Sequence, residues 1–347
     1  MKCPVCKTEL AIGSSQCAVC EFDDLSREFV NVSDATSWVD NVVIPYRINW
    51  EKKRTKSPVS MYRELIAAQL NEAQLNEMVV ADFEYEIDDH GAILTRYNGS
   101  SEHITIPGEI DGHTVYKLGN NLFYKCKELQ GITLPDSLTE IGNGTFMCTG
   151  INSITLPNKI STIGRSAFYL SKLESIVLPE SITVVGDTAF GRTKIKEIVF
   201  PEGISRLPAR ICESCDRLET VIILNACTIG EDAFVCCENL KNVVFAPYME
   251  SIEKRAFAYC TNFQYVILPP SLKSISSSAF SFEGHWTDPD NPQRSFVFQD
   301  STTIINGWGA WEKCSVIFFC NKGSTAQHYA REYNIEQRLL SEFRLNR

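Results

Sequence analysis

The sequence lacks long apolar runs and a secretory signal, and it is poor in positive charge. No window approaches the roughly 18 to 20 uninterrupted apolar residues of a membrane helix, so we expect no membrane span. The stretch Met1–Cys6 lacks the apolar segment of a secretory signal, which favours a cytoplasmic location. Positive charge is also scarce, with 33 Lys and Arg against 43 Asp and Glu, a net charge of −10. This balance disfavours general binding to nucleic acids or anionic membranes.

Catalytic signatures are missing from the sequence as well. It contains no P-loop, HExxH motif, dinucleotide fingerprint or nucleophile elbow. No pair of carboxylates stands out, and the five histidines form no spaced cluster: His90, His103, His113, His285 and His328. We therefore expect a protein that is not an enzyme and has no small-molecule substrate.

Cysteine, in contrast, is abundant, with 14 residues. The first four form two pairs, Cys3-x2-Cys6 and Cys17-x2-Cys20, and four thiolates at this spacing can surround Zn²⁺ at about 2.3 Å. They leave no open coordination position, which predicts a structural zinc rather than a catalytic one. A redox dithiol pair and bound iron remain alternatives. Residues 1–22 resemble the short N-terminal zinc ribbons of bacterial proteins.

An internal repeat explains most of the other cysteines. Residues 104–281 hold eight units, 22 or 23 residues apart, with the template I-x-L-P-x-x-I-x-x-I-G-x-x-A-F-x-x-C-x-x-L. This period is typical of a leucine-rich-repeat solenoid, in which stacked units share one core. Its aromatic column reads Phe123, Phe146, Phe168, Phe190, Cys212, Phe234, Phe257 and Phe280.

A cysteine column follows three residues after the aromatic column, at Cys126, Cys215, Cys237 and Cys260, with Cys148 as a near neighbour. We expect small buried thiols there that donate weakly to backbone carbonyls. Cys212-x2-Cys215 is therefore interpreted as two overlapping repeat columns rather than a redox or metal motif.

Each unit also predicts a short strand whose side chains alternate between the core and an open concave face. The outward column contains five successive β-branched apolar residues: Val177, Val199, Ile222, Val244 and Ile267. A contiguous apolar stripe often marks a contact site, so we hypothesise that it binds a protein partner. The alternative is that β-branched residues simply suit strands.

The repeat resembles the BspA-like (treponemal) leucine-rich repeat family in the motif L-P-x-S-[IL]-x-x-I-G-x-x-A-F-x-x-C. Residues 83–126 resemble the entry segment of that family, and residues 321–330 resemble its capping helix. The resemblance covers about residues 83–338. It implies a solenoid used for protein or surface binding, in a family whose members are often extracellular.

The segment between ribbon and solenoid has a weaker pattern. Trp38, Val42, Tyr46 and Trp50 recur every four residues, which indicates one face of a helix, and residues 60–80 are typical of a second helix. The basic stretch 47–56 is either a contact for an acidic partner or nucleic acid, or a solvated helix end. Residues 282–294 are interpreted as a surface loop.

The sequence thus predicts an α/β repeat fold in four parts. These are a zinc ribbon (1–25), a helical linker (26–80), a leucine-rich-repeat solenoid with a C-terminal capping helix (81–338) and a tail (339–347). The predicted function is a non-enzymatic protein–protein interaction module of a bacterial cytoplasm, with the ribbon as a structural or docking element. Alternatives are a nucleic-acid-associated protein and an exported adhesion or virulence factor.

Overall fold

The part of the chain described below belongs to one unit, Asn76–Arg347. The predicted zinc ribbon and helical linker lie outside the described residues, so both stay predictions. The computed structural model describes residues 82–263, 265–276, 278–281, 294–299, 302–306 and 316–343.

An antiparallel hairpin begins the described fold. Strand β1 (Phe83–Asp88) pairs with β2 (Gly91–Tyr97), and β2 pairs in parallel with β5 (His113–Leu118). A short strand, β4 (Glu109–Ile110), lies antiparallel to β5. The hairpin thereby joins the sheet that the repeat units continue.

The hairpin also covers the aromatic core of the first repeat unit. The ring of Phe83 meets Phe123 edge-on at 6.2 Å, and the ring of Tyr97 lies 5.3 Å from Phe123. A repeat array needs such a cap because its first unit has no preceding neighbour. The entry segment expected from the sequence has this position.

A first row of parallel strands passes through successive coils. The strands are β3 (His103–Thr105), β6 (Gly131–Thr133), β8 (Ser153–Ile154), β10 (Ser175–Ile176), β12 (Glu197–Phe200), β14 (Thr220–Ile223), β16 (Asn242–Val244), β18 (Tyr265–Leu268), β20 (Arg294–Phe298), β22 (Val316–Cys320) and β23 (Glu336–Leu339). The hydrogen-bonded runs are β3–β6, β8–β10, β12–β14–β16 and β18–β20–β22–β23. In β12, β14 and β18 the buried residues alternate with outward ones, as strand geometry requires, whereas all five residues of β22 are buried.

A second row of parallel strands forms another face of the coils. Its members are β7 (Glu140–Ile141), β9 (Thr162–Ile163), β11 (Val184–Val185), β13 (Arg206–Leu207), β15 (Thr228–Ile229), β17 (Ser251–Ile252), β19 (Ser274–Ser276) and β21 (Ile304–Asn306). Glycines follow several of these strands, and a Cβ at Gly164 would lie 2.5 Å from the backbone of Gly142 in the previous coil. The glycine of the template therefore permits close approach of neighbouring coils.

The segment around each aromatic-column residue forms a third ladder between coils. The flanking residues have positive φ, 54° at Ser166 and 57° at Leu170 on either side of Phe168. This conformation costs a non-glycine residue roughly 1 kcal/mol. With this conformation, three backbone N–H groups of one coil point at the next coil. The N–H groups of Ser166, Phe168 and Leu170 donate to the carbonyls of Asp187, Ala189 and Gly191, respectively, at 2.8–3.0 Å. These hydrogen bonds recur from coil to coil and offset that cost.

The rings of the aromatic column are buried in the core. Successive rings stack with centroids 5.2–5.7 Å apart from Phe123 to Phe190 and 5.0–5.2 Å apart from Phe234 to Phe280. Cys212 interrupts the stack. Phe200, at a strand position where four units carry Leu and a later unit carries Phe245, meets Phe234 edge-on at 6.4 Å.

The described chain ends in a helix, a strand and a turn. Helix α1 (Thr325–Glu332) begins at the N-cap Ser324, whose hydroxyl accepts from the backbone N–H of Gln327 at 3.2 Å. It contacts β21, β22 and β23, which confirms the predicted capping helix. A 3₁₀ turn, Leu340–Glu342, follows β23.

One feature corrects the expected fold. The predicted α/β repeat is wrong in its helical component. Among the described residues, helix is confined to α1 and the 3₁₀ turn, and the coils return through turns. The solenoid continues past the eighth unit within its predicted bounds, since β20 and β22 extend the first strand row. Residues 282–293 lengthen the step from β18 to β20, where Tyr265 pairs with Ser295, whereas Arg294 and Val316 in β20 and β22 are again 22 residues apart.

Candidate functional site

Four of the predicted stripe residues form an apolar row on the outward side of the first strand row. In β12, Ile198 is buried and the next residue, Val199, points outward. The strand register aligns Val199 with Ile222 and Ile222 with Val244. Val177 holds the same position one coil earlier and is 74% exposed, and Val244 is 54% exposed. The open stripe is defined here as Val177, Val199, Ile222 and Val244.

Polar side chains border one side of the open stripe. The adjacent outward column on that side consists of Ser175, Glu197, Thr220 and Asn242. On the other side the corresponding residues are Pro179, Pro201, Leu224 and Ala246, of which Leu224 is 38% exposed. The residues preceding the polar column are exposed and alternate in charge: Glu174, Lys196, Glu219 and Lys241.

Some of these charges form ion pairs. Lys241 Nζ lies 2.9 Å from Glu219 Oε2, and Arg217 Nη1 lies 3.5 Å from Glu174 Oε1. The hydrogen bond from Lys241 holds the pKa of Glu219 below its usual value. The border of the open stripe therefore carries both signs of charge, partly paired, rather than a field of one sign.

The fifth predicted residue, Ile267, lies in a different environment. It occupies the same outward column, in register with Val297, which is in register with Phe319. Although these positions face outward, Val297 is only 2% exposed and Phe319 only 6%. Ile267 is half-buried and packs against their cluster. The covered stripe is defined here as Ile267, Val297 and Phe319.

The C-terminal turn, residues 340–343, covers this part of the column. Leu340 and Phe343 pack against the cluster that contains the covered stripe. The Phe343 ring meets Phe319 edge-on at 5.1 Å and Tyr265 at 6.4 Å. The sequence interpretation assigned no role to these residues. The three-residue spacing of Leu340 and Phe343 was the available signal, because it places two apolar side chains on one face of a helical turn.

The predicted cysteine column is confirmed in three coils. The thiols of Cys215, Cys237 and Cys260 are buried, and each donates to a backbone carbonyl of the preceding coil at 3.1 Å. The acceptors are the carbonyls of Phe190, Cys212 and Phe234 respectively. These thiols pack and bridge neighbouring coils, which is a structural role.

Burial raises the pKa of two thiols in this part of the core. It raises the pKa of the Cys212 thiol well above its usual value, and the neighbouring Cys215 raises it further. The same two causes raise the pKa of Cys237, beside Cys260. Burial acts in the same direction on Cys215, but hydrogen bonds with Cys212 and Thr193 lower the pKa of this thiol. Cys212 and Cys215 are both buried, and a thiol without access to solvent is a poor nucleophile, so Cys212-x2-Cys215 has the expected structural character.

Cys148 is not a member of the cysteine column. It has a φ of 60° and occupies the positive-φ position after Phe146. The residue in register with the thiols is Thr149, whose hydroxyl donates to the carbonyl of Phe146 at 2.8 Å. Thr193 donates in the same way to Phe190. The position three residues after the aromatic column is therefore filled by small side chains that carry a hydrogen-bond donor, and cysteine is one of them.

The predicted zinc ligands Cys3, Cys6, Cys17 and Cys20 lie outside the described residues. Within the described ranges, no group of three or more His, Cys, Asp or Glu side chains is placed to hold a metal ion. No helix in that part of the chain has the length and apolarity to cross a membrane.

Known proteins share this architecture. A family model described as "BspA type Leucine rich repeat region" matches residues 96–219 and 205–306. A solved leucine-rich repeat protein of T. pallidum is 26% identical, with a TM-score of 0.48 over 53% of this chain and 88% of that one. A leucine-rich repeat protein of Bacteroides ovatus is 20% identical, with a TM-score of 0.50 over 68% and 70%, and shows the same fold. The search of curated proteins found no match.

Proposed function

This chain belongs to the BspA-type leucine-rich repeat family, and we propose on that premise that it is a non-enzymatic protein-interaction module. Leucine-rich repeat proteins are generally used for protein–protein interaction, and stacked repeats provide an extended binding surface. The observation that carries the proposal is the open stripe. Its apolar side chains lie side by side at the surface, and such contiguous patches mark contact sites.

Capture of partners from a native lysate tests this function. Replacing both Val199 and Val244 with Asp places two charges in the open stripe and should abolish capture. The matched control is Val184→Asp, because Val184 is 52% exposed on the second strand row and lies in the same coil as Val177. Capture should survive in the control. Equal capture by all three proteins would contradict the proposal.

We further propose that Cys3, Cys6, Cys17 and Cys20 bind a structural Zn²⁺ that folds a ribbon, which serves as a structural or docking element. Thiolate donors suit zinc, and a segment this short cannot fold on an apolar core alone. Purified protein should contain about one zinc per chain, as two CxxC pairs imply. The double variant Cys6→Ser/Cys20→Ser should lose it, and Cys227→Ser should retain it. Zinc loss in neither variant, or in both, would contradict the assignment.

A reducing, cytoplasmic location is part of the same proposal. The thiols of Cys215, Cys237 and Cys260 act as hydrogen-bond donors, and only reduced cysteines can do so. Persistence of disulfides is typical of oxidising compartments. Thiol labelling of protein taken directly from cells should therefore find these three residues reduced once the chain is unfolded.

A further inference from the structure

We propose that Asn98 is a site of spontaneous deamidation and that the product loosens the hairpin of β1 and β2, which caps the first repeat unit. Asn98 directly follows β2 and is exposed, and the next residue is Gly99. A glycine nitrogen is the least shielded backbone nucleophile, because glycine has no Cβ. The fold requires this glycine, since a Cβ at Gly99 would collide with the hydroxyl of Tyr97. The inference goes beyond the proposed function, because the site lies at the entry to the solenoid and not at the open stripe.

The reaction needs only the chain itself and water. The backbone nitrogen of Gly99 loses its proton and attacks Cγ of Asn98, so that a bond forms between these two atoms. The bond from Cγ to Nδ2 then breaks, and Nδ2 leaves as ammonia. Water opens the resulting cyclic imide at either of its two carbonyls and gives aspartate or isoaspartate. No electrons are transferred, and the side-chain amide is replaced by a carboxylate with one negative charge.

The structure leaves both reacting groups of this pair accessible. Within the described ranges, the N–H of Gly99 donates to no other group. The Nδ2 of Asn98 donates to Oε1 of Glu84 at 3.1 Å, and the Glu84 side chain is 56% exposed. Solvent readily replaces a hydrogen bond between exposed groups. No backbone hydrogen bond of Gly99 therefore has to break before its nitrogen reaches Cγ.

A second Asn-Gly pair, Asn143-Gly144, is held in place between neighbouring coils. The N–H of Gly144 donates to the carbonyl of Arg165 at 2.8 Å. The Oδ1 of Asn143 accepts from the N–H of Arg165 at 2.8 Å, and the N–H of Asn143 donates to Oδ1 of Asn120 at 2.8 Å. The attacking nitrogen and the side chain are thus both engaged in the fold. Because the two pairs have the same reacting groups and differ in these hydrogen bonds, Asn143 is an internal control.

Deamidation at Asn98 changes the contacts that close the hairpin. The donor 3.1 Å from Glu84 becomes a carboxylate oxygen, and like charges on neighbouring strands destabilise their pairing. Isoaspartate also adds a backbone carbon beside the hydrogen bond from the N–H of Asn98 to the carbonyl of Asp82. This end of the hairpin pairs Phe83 with Tyr97, whose rings cover the aromatic core of the first unit. We therefore expect the cap to open more often after the reaction.

Peptide mapping of the full chain after incubation in mildly alkaline buffer tests the site. Conversion at Asn98 should exceed conversion at Asn143 about tenfold or more, because at Asn143 at least two hydrogen bonds must break first. In urea the two pairs should react at similar rates, since their difference arises from the fold. Mapping separates both from Asn306-Gly307, whose glycine lies outside the described residues. Equal conversion at Asn98 and Asn143 in the folded chain, or none at Asn98, would overturn the site.

Hydrogen exchange tests the effect on the hairpin. Asn98→Asp introduces the new charge alone and should accelerate amide exchange in β1 and β2 about two- to fivefold. Arg96 Nη1 lies 3.8 Å from Glu84 Oε1 and offsets part of the repulsion. Deamidated wild-type chain, which also contains isoaspartate, should exchange at least as fast in these strands. Exchange in β12 and β14 should stay unchanged in both proteins.

Asn98→Gln is the matched control for ageing. It keeps an amide donor, but its longer side chain must close a larger ring, so it should neither deamidate nor change its exchange during the same incubation. Conversion at Asn98 without faster exchange in β1 and β2 would overturn the loosening of the cap. Faster exchange in aged Asn98→Gln, equal to that in aged wild type, would assign the effect to another site and overturn it as well.

Discussion

The covered stripe and the open stripe occupy the same outward column of one strand row, but only one of them is part of the core. Val297 and Phe319 are almost fully buried, whereas Val177 is 74% exposed. The strands themselves are alike in direction and alternation. The difference comes from the C-terminal turn, which folds over the covered stripe and packs Leu340 and Phe343 against it.

This difference shows that an outward apolar residue in a repeat array can have either of two roles, stabilising the fold or contacting a partner. Burying a Val, Ile or Phe side chain contributes roughly 1.5–3 kcal/mol relative to exposing it. At the covered stripe this burial stabilises the folded chain. At the open stripe the side chains are exposed, so the same free energy is available to stabilise a complex with a partner.

A charge placed in each stripe should give the largest difference in unfolding free energy between the two regions. Val297→Asp buries an unpaired carboxylate and should lower the free energy of unfolding by about 3 kcal/mol or more. Val177→Asp places the same group in solvent and should change it by less than about 0.5 kcal/mol. Urea unfolding measures both variants, with hydrogen exchange to locate any coil that unfolds separately. Equal losses would mean that the two stripes do not differ in burial.

Removal of the turn's aromatic side chain should have a smaller, local effect. Phe343→Ala loses the ring contacts with Phe319 and Tyr265 and should destabilise the C-terminal coils by about 1–2 kcal/mol. Amide exchange should accelerate about tenfold in β20 and β22, the equivalent of 1.4 kcal/mol, and stay unchanged in β12 and β14. Phe343→Leu, which keeps an apolar contact, should lie between the variant and the wild type. Acceleration spread over all coils would show that the turn stabilises the whole array.

Most of the solenoid could be predicted from the sequence because its contacts repeat. The aromatic column and the thiols of Cys215, Cys237 and Cys260 recur at 22 or 23 residues, so one register predicts them all. Cys148, expected only as a near neighbour of the column, lies one residue before it, and Thr149 holds the column position because a small hydroxyl donor also fits there. The positive-φ ladder carries no residue signature, as its members include serine, leucine, arginine and cysteine.

The candidate site was predictable only in part, for a different reason. Alternation along a strand shows which residues face outward, and this placed Val177, Val199 and Val244 correctly at the surface, with Ile222 half-buried between them. It cannot show which outward residues another segment covers. Ile267 is covered because Leu340 and Phe343 return to the strand row from the end of the chain, and a non-local contact between single apolar residues leaves no periodic pattern.

The smallest effect is expected at the hydrogen bond that begins the C-terminal turn. Glu342 Oε1 accepts from the backbone N–H of Leu339 at 3.2 Å on the exposed edge of β23. Glu342→Ala should cost about 0.5 kcal/mol, because solvent can replace much of this bond, and should roughly double amide exchange in β22 and β23. Glu342→Gln retains an acceptor oxygen and should resemble the wild type. Neither variant should alter exchange in β12, β14 or β16. A change there would mean that the open stripe responds to the cover of its neighbour, and the two regions could no longer be treated as independent parts of one column.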